Sequence, residues 1–202
     1  MDAIELTLSA IDAANAQDPR LVLYEGEEVP QELLHSQRMS SWLAVRQPQA
    51  SAAQQIAARA HHLQRWLTPR SHFPEGRAGY LRWRSAARER HAVLLGEIAA
   101  SSGLDAETIA RSQAILRKAD LANDPEVAVH EDCLCLVFFE LQAKELAGNL
   151  GATTESVVRK TLKKMTPQGH QLLTTSVLIP VDIRSLVAEL LQQMATAEAS
   201  GA

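Results

Sequence analysis

The chain has 202 residues, of which 46% are hydrophobic, and carries a net charge of −4. This length can bury one substantial core, and the small net charge gives no global reason to expect binding to nucleic acid or to an anionic membrane. No apolar run approaches the roughly 18 residues of a membrane-spanning helix, and no apolar N-terminal region resembles a signal peptide. We therefore expect a cytoplasmic protein without a membrane segment.

Hydrophobic spacing predicts helices along most of the chain, and hence the all-α class. Residues 17–30, which are acidic and flanked by prolines, are expected to form a loop. No convincing strand is found, although the short apolar run Val177-Leu178-Ile179 leaves one open. The predicted helices cover residues 3–16, 31–46, 52–67, 80–102 and 106–119, a helix opening at Asp124-Pro125, and residues 153–165 and 182–195.

We interpret these elements as a single-domain helical bundle with an added C-terminal helix. Residues 1–29 are expected to form an N-terminal helix and an acidic loop packed on the core. Residues 30–175 form the bundle, and residues 176–202 form the last helix and a loose tail. The last helix has an apolar stripe that favours core packing, with a homodimer contact as the alternative. The stripe consists of Ile183, Leu186, Val187, Leu190, Leu191 and Met194.

Charge is distributed unevenly along the sequence. Residues 1–32 contain eight acidic residues against Arg20 alone, whereas residues 65–91 contain seven arginines against Glu75 and Glu89. Because guanidinium groups bind phosphate and carboxylate bidentately, the second stretch is a candidate anion-binding region. The alternative is a solvated helix face whose arginines pair with the acidic N-terminal segment.

Asp132 is the most informative single residue, because seven apolar residues follow it in a predicted buried helix. A buried carboxylate must be neutralised, paired or bound to a metal. His35 lies on an apolar helix face, and His61 and His62 end a helix that packs into the core. Three imidazoles and one carboxylate suit Zn, Fe, Mn or Ni better than Mg or Ca. These four residues therefore predict a transition-metal site, with a buried hydrogen-bonded network as the alternative. His130 is expected to cap its helix at the surface, with a role as a hydrogen-bond partner of the site residues as the alternative.

The order of these residues over about residues 30–142 resembles the HD superfamily of metal-dependent phosphohydrolases. In that pattern one helix supplies the first His, a second ends in His-Asp, and a later helix supplies the last Asp. The resemblance implies that His35, His61 and Asp132 are the first, second and last of these ligands. His62 stands where the pattern has Asp, which removes an anionic charge and favours a mononuclear site or an altered reaction over a two-metal hydrolase.

The chain is more closely similar to the family called domain of unknown function DUF4202. This similarity extends over most of the chain and is specific, but it names no activity. The stretches that carry it are Ser36-Gln37-Arg38-Met39, residues 62–66 (HLQRW), residues 77–84 (RAGYLRWR), residues 131–138 (EDCLCLVF) and Arg159-Lys160-Thr161.

Together these patterns predict a divergent HD-like metal-dependent hydrolase that acts on a small phosphorylated or nucleotide-like anion. His91 and Glu131 are the candidates for moving protons, and Arg65, Arg70 and Arg77 are the candidates for binding the phosphate. Two alternatives stay open at this point. One is a metal oxygenase on the same fold, and the other is a non-catalytic interaction module that has lost the metal site.

Overall fold

A computed structural model describes residues 1–142 and 152–200. Helices dominate these residues and confirm the all-α class, with one two-stranded sheet added. No helix among them is long and apolar enough to cross a membrane. The described elements are α1 (Ala3–Asn15), β1 (Leu21–Tyr24), β2 (Glu27–Pro30), α2 (Gln31–Arg46), α3 (Ala52–Arg59), α4 (Gly76–Ser101), α5 (Ala106–Arg117), α6 (Pro125–Leu141), α7 (Ala152–Leu162), α8 (Pro167–Thr175) and α9 (Val181–Ser200), with short 3-10 helices at Arg65–Leu67 and Arg70–His72.

The chain divides into two compact units, Met1–His130 and Glu131–Ala202, and the division falls inside α6. The first unit contains the sheet, helices α1 to α5 and the beginning of α6. The second contains the rest of α6 and the helices that follow it. The organisation expected from the sequence, with boundaries near residues 29 and 175, stays a prediction.

The core of the first unit is built around α3, which packs against α1, α2 and α5, while α4 packs against α1 and α5. Small alanine side chains let these helices approach closely, and larger aliphatic side chains fill the space between them. The fully buried members include Ala57, Ala60, Ala92, Ala99, Ile11, Ile56, Leu63, Leu95 and Ile115.

In the second unit, α9 packs against α7 and α8. Ile183, Val187 and Leu190 are buried at helical spacing, which confirms that the apolar stripe of this helix faces a core. The apolar run of α6 is also buried or half-buried from Cys133 to Phe139, as its composition predicts.

The loop expected for residues 17–30 is wrong, because this segment contains the β1–β2 hairpin. Val22 pairs with Val29 in an antiparallel register, and the strands are joined at Glu25 and Gly26. Both joining residues have positive φ, 51° and 92°, as the tight turns favoured between antiparallel strands require. The apolar run Leu21–Tyr24 followed by Glu-Gly is the signal for this hairpin, and the acidic composition obscured it.

One predicted helix is too long, and one helix is not predicted from the sequence. The helix expected over residues 52–67 ends at Arg59. The helix Pro167–Thr175 was absent from the sequence interpretation, although Thr166 caps it by accepting a hydrogen bond from the Gly169 backbone N–H and Pro167 occupies its first position.

Candidate metal centre

The turn after α3 brings two histidines to one place in the first unit. His62 and Gln64 both have left-handed backbones, with φ of 65° and 49°. Such conformations cost a non-glycine residue about 1–3 kcal/mol, and they concentrate at functional sites. The Gln64 backbone N–H donates to Asn15 Oδ1 at 2.9 Å, which ties the turn to α1. His61 and His62 therefore lie in a constrained turn instead of at the end of a longer helix.

His62 is the centre of a histidine cluster in this unit. Its ring centroid lies 4.2 Å from that of His35, 4.4 Å from that of His61 and 6.0 Å from that of His91. His61 extends the cluster to His130, because its Nδ1 lies 3.0 Å from His130 Nε2. One of these two rings must donate and the other accept, so each is held in a defined tautomer.

Glu32 adds a carboxylate to the cluster. It is only 1% exposed and lies one helical turn before His35 on α2. Its Oε2 lies 3.2 Å from His62 Nδ1. One potential ligand atom from each of Glu32, His35 and His62 lies within 4.8 Å of the other two, and within the described ranges this is the group with metal-ligand spacing.

Two polar atoms of this group have unsatisfied hydrogen-bonding capacity. Glu32 Oε2 and His35 Nδ1 are buried and make no hydrogen bond within the described chain, since the approach of His62 to Oε2 lacks hydrogen-bond geometry. A buried unsatisfied polar atom costs about 1–3 kcal/mol. A cation bound by both atoms would remove that cost, so the donor set fits a metal ion.

Burial lowers the pKa of every histidine in the cluster. The pKa falls to about 3 for His35, His91 and His130, mainly because burial disfavours the charged ring. For His61 and His62, burial is again the largest cause and lowers the pKa well below 6.5. The neutral imidazole is the form that binds metals, so the cluster is in its ligating state at neutral pH.

The pKa of Glu32 is shifted in opposite directions by burial and by Arg20. Burial raises the pKa of its carboxyl group, and the hydrogen bond from Arg20 lowers it. Arg20 Nη2 donates to Glu32 Oε1 at 2.7 Å, so one oxygen is occupied while Oε2 is not.

Arg65 brings a positive charge to the cluster. Its guanidinium lies 4.5 Å from the centroid of the Trp83 ring and makes no hydrogen bond or ion pair with the described residues. Burial lowers its pKa. After burial, its charge is the largest influence that lowers the pKa of His35 and His91. The charge of Glu32 is the largest influence that opposes the effect of burial on the pKa of Arg65, but no carboxylate of the described residues forms a direct ion pair with the guanidinium, which leaves its N–H groups suited to binding an anionic group.

The other two arginines expected to bind substrate have different surroundings. Arg70 Nη1 donates to the Phe73 carbonyl at 2.8 Å and so stabilises its own 3-10 turn. Arg77 is exposed in the first turn of α4. Arg65 is therefore the member of the predicted set whose charge acts on the histidines.

The two residues expected to move protons are both buried. His91 is 2% exposed, and its Nε2 has no hydrogen-bond partner among the described residues. Glu131 is 2% exposed on α6, in the second unit. Their catalytic roles stay predictions.

Asp132, expected to be a metal ligand, is fully buried in the second unit. Its Oδ1 accepts a hydrogen bond from the Thr166 backbone N–H at 2.8 Å, and its Oδ2 accepts one from Thr166 Oγ1 at 2.6 Å. These bonds anchor the N-terminus of α8. The ligand roles of Asp132 and of His61 stay predictions.

Sequence reasoning missed Glu32 and misplaced His130. Glu32 lies three residues before His35 and shares its helix face, which is a usable signal, but it was counted with the acidic N-terminal segment. His130 is 3% exposed and contacts His61, so its interpretation as a surface cap is wrong.

The chain belongs to the family described as Domain of unknown function (DUF4202), whose family model matches residues 5–187. This confirms the closer of the two similarities read from the sequence, and the match includes every residue of the cluster. No curated protein and no solved structure shows a significant match to the chain. The HD-like resemblance stays a prediction.

Proposed function

We propose that the protein binds one divalent transition metal through Glu32, His35 and His62 and hydrolyses a small phosphorylated or nucleotide-like anion. The observation that carries this proposal is the pair of buried unsatisfied atoms, Glu32 Oε2 and His35 Nδ1, beside a third potential ligand. Two imidazoles and one carboxylate also form a ligand set that suits Zn, Mn, Fe or Ni. Three protein ligands leave a position for water or substrate, as in catalytic metal sites.

Arg65 is the residue that would bind and orient the substrate. Its guanidinium makes no direct ion pair with the described residues, although the charge of Glu32 acts on it, so a phosphoryl group could accept its hydrogen bonds. When bound, the metal lowers the pKa of a water molecule and polarises the phosphoryl oxygen. In the reaction, the water oxygen joins phosphorus, the ester P–O bond breaks, and a proton passes to the leaving oxygen.

His91 is the cluster member best placed to move that proton. It is neutral at pH 7, its Nε2 is unsatisfied, and its ring lies beside His62. A pKa of about 3 makes it a weak base before substrate binds, because general bases work best with a pKa near the working pH. We therefore assign His91 to proton transfer in the substrate complex, where the charge of the bound anion would oppose the effect of Arg65 on its pKa.

A non-catalytic interaction module is the second candidate, and the His61–His130 pair is the observation that favours it. Two buried imidazoles at hydrogen-bonding distance are what a metal-free network would contain. A metal oxygenase shares the proposed metal site and differs in its chemistry, so iron content together with oxygen consumption would identify it.

Elemental analysis of protein purified without a histidine tag tests the proposal. We expect about one Zn, Mn, Fe or Ni per chain, followed by phosphate release in a screen of phosphomonoesters and nucleotides. Absence of bound metal after reconstitution with each of these ions would overturn the proposal and favour the interaction module.

Arg65→Met in the same screen tests the substrate role. We expect kcat/KM to fall roughly 10- to 100-fold while the metal content is unchanged, because a charge-assisted hydrogen bond is worth about 1.5–3 kcal/mol. Lys164→Met, which removes an exposed cation of the second unit that is not among the predicted site residues, is the control and should retain wild-type activity.

A further inference from the structure

A cluster of two buried carboxylates and one exposed arginine lies around the start of α2 and includes the proposed ligand Glu32. Arg20 bridges two carboxylates, those of Asp18 and Glu32, which are 3% and 1% exposed. Its Nη2 lies 2.7 Å from Glu32 Oε1 and 3.0 Å from Asp18 Oδ2, and its Nε donates to Asp18 Oδ1 at 3.0 Å. The guanidinium of Arg20 therefore donates hydrogen bonds to both carboxylates.

Asp18 also fixes the backbone around this bridge. It accepts hydrogen bonds from the backbone N–H groups of Arg20, at 3.0 Å, and Glu32, at 3.1 Å. The Gln31 backbone N–H donates to the Arg20 carbonyl at 2.9 Å, which closes the base of the hairpin. The carboxylate of Asp18 thus holds together the first turn of α2 and Arg20, whose guanidinium contacts the Glu32 side chain on that turn.

The two oxygens of Glu32 have different environments. Oε1 is occupied by Arg20, whereas Oε2 lies beside His62 and accepts no hydrogen bond. A glutamate side chain has three rotatable bonds, so a partner on one oxygen is needed to keep the other directed at a metal.

We propose that Arg20 and Asp18 are positioning residues for the metal ligand Glu32. Arg20 holds Oε1 so that Oε2 is directed toward His35 and His62, and Asp18 holds Arg20 and the start of α2. This inference rests on the proposed metal site and adds the residues that orient it. Partners of this kind typically contribute 10- to 100-fold to metal affinity.

Titration of the metal-free full chain with Co²⁺ tests the proposal, because the visible spectrum of Co²⁺ reports ligand geometry as well as binding. We expect Arg20→Met to lower Co²⁺ affinity by roughly 10- to 100-fold and to change the spectrum. Arg20→Lys keeps the charge but not the planar fork, and should recover part of the affinity. The Arg20 side chain is 43% exposed, so neither substitution opens a cavity in the core.

Arg59→Met is the matched control in the same unit. Arg59 makes a bidentate pair with Asp12, at 2.6 and 2.7 Å, and neither residue belongs to the proposed ligand set. This variant should bind Co²⁺ with wild-type affinity and an unchanged spectrum.

The outcomes separate the inference from the proposed function. Wild-type affinity and spectrum in Arg20→Met would overturn the inference and leave the metal site standing, as would an equal loss in Arg59→Met. Failure of the wild-type chain to bind Co²⁺ would overturn both. If Arg20→Met does not fold, Arg20→Lys decides, since wild-type affinity and spectrum in that variant would also overturn the positioning role.

Discussion

Two buried carboxylates of this protein, Glu32 in the first unit and Asp132 in the second, are satisfied to different degrees. Asp132 is 0% exposed, and each of its oxygens accepts a hydrogen bond from Thr166. Glu32 is 1% exposed, but Arg20 occupies only one of its oxygens and the other accepts no hydrogen bond. Burial of a carboxylate is therefore not enough to identify a metal ligand, and under the proposed function the unoccupied oxygen of Glu32 would bind the metal whereas Asp132 would anchor α8.

The surroundings of Asp132 extend this contrast. Thr166 caps α8, and its Oγ1 accepts a hydrogen bond from the Gly169 backbone N–H at 3.2 Å. A Cβ atom added at Gly169 would lie 2.4 Å from Asp132 Oδ1, which is too close for any side chain there. The carboxylate thus fits tightly against the first turn of a helix, as an anchoring role requires.

His62→Asn is expected to cause the largest loss of metal affinity. Asparagine adopts the left-handed backbone of this position readily, so the turn should persist while one of three proposed ligands is lost. We expect metal affinity to fall by more than about 100-fold, measured by titration of the metal-free chain. The exposed His72→Asn is the control, and similar affinities of these two variants would remove His62 from the ligand set.

Asp132→Asn tests whether Asp132 anchors α8 or binds the metal. The variant loses a charged acceptor for Thr166, and we expect the free energy of unfolding to fall by about 2 kcal/mol, measured in urea. Metal affinity should be unchanged if Asp132 is an anchor. A loss of metal affinity comparable to that of His62→Asn would instead show that Asp132 is a metal ligand, as the sequence predicts.

Thr166→Val provides the matched variant for this test. It removes the Oγ1 that contacts Asp132 and caps α8, so we expect a loss of about 1–2 kcal/mol in unfolding free energy. Because Thr166 is not a proposed metal ligand, the variant should bind metal with the affinity of the wild type.

Helices with strong periodicity were predictable from the sequence, and breaks in a continuing pattern were not. The apolar spacing of α9 and the apolar run of α6 both correspond to buried faces. After Arg59, however, Ala60 and Leu63 continue the apolar spacing and are fully buried in turns instead of a helix. Hydrophobic periodicity predicts which side chains are buried, but it does not predict the positive φ of His62 and Gln64.

The histidine part of the site was predictable for a similar reason, and the carboxylate part was not. His35 and His62 are recognisable because imidazoles among apolar neighbours are unusual. Whether a carboxylate is satisfied depends on partners remote in sequence: Arg20 lies 12 residues from Glu32, and Thr166 lies 34 residues from Asp132. The residues next to Glu32 and Asp132 in the sequence do not indicate these distant partners.

The smallest expected effect is an acid sensitivity of the first unit that comes from its histidines. The pKa of His91 is about 3 in the native state and 6.5 without burial, so the unfolded chain takes up the proton first as the pH falls. Its stabilisation is complete above pH 6.5 and is lost progressively as the pH falls toward 3. Between pH 7 and pH 5.5 this one residue should account for a loss of about 1 kcal/mol in unfolding free energy.

His91→Gln tests that contribution in the metal-free chain. The variant should lose about 1 kcal/mol less than the wild type between pH 7 and pH 5.5, measured by urea unfolding at each pH, whereas the exposed His72→Gln should follow the wild type. The pKa of Glu32 is raised by burial, so its contribution has the opposite sign, because the native state takes up that proton first. Glu32 is present in all three chains and cancels in the comparison, so equal pH dependence of His91→Gln and the wild type would mean that the native cluster does not lower the pKa of His91.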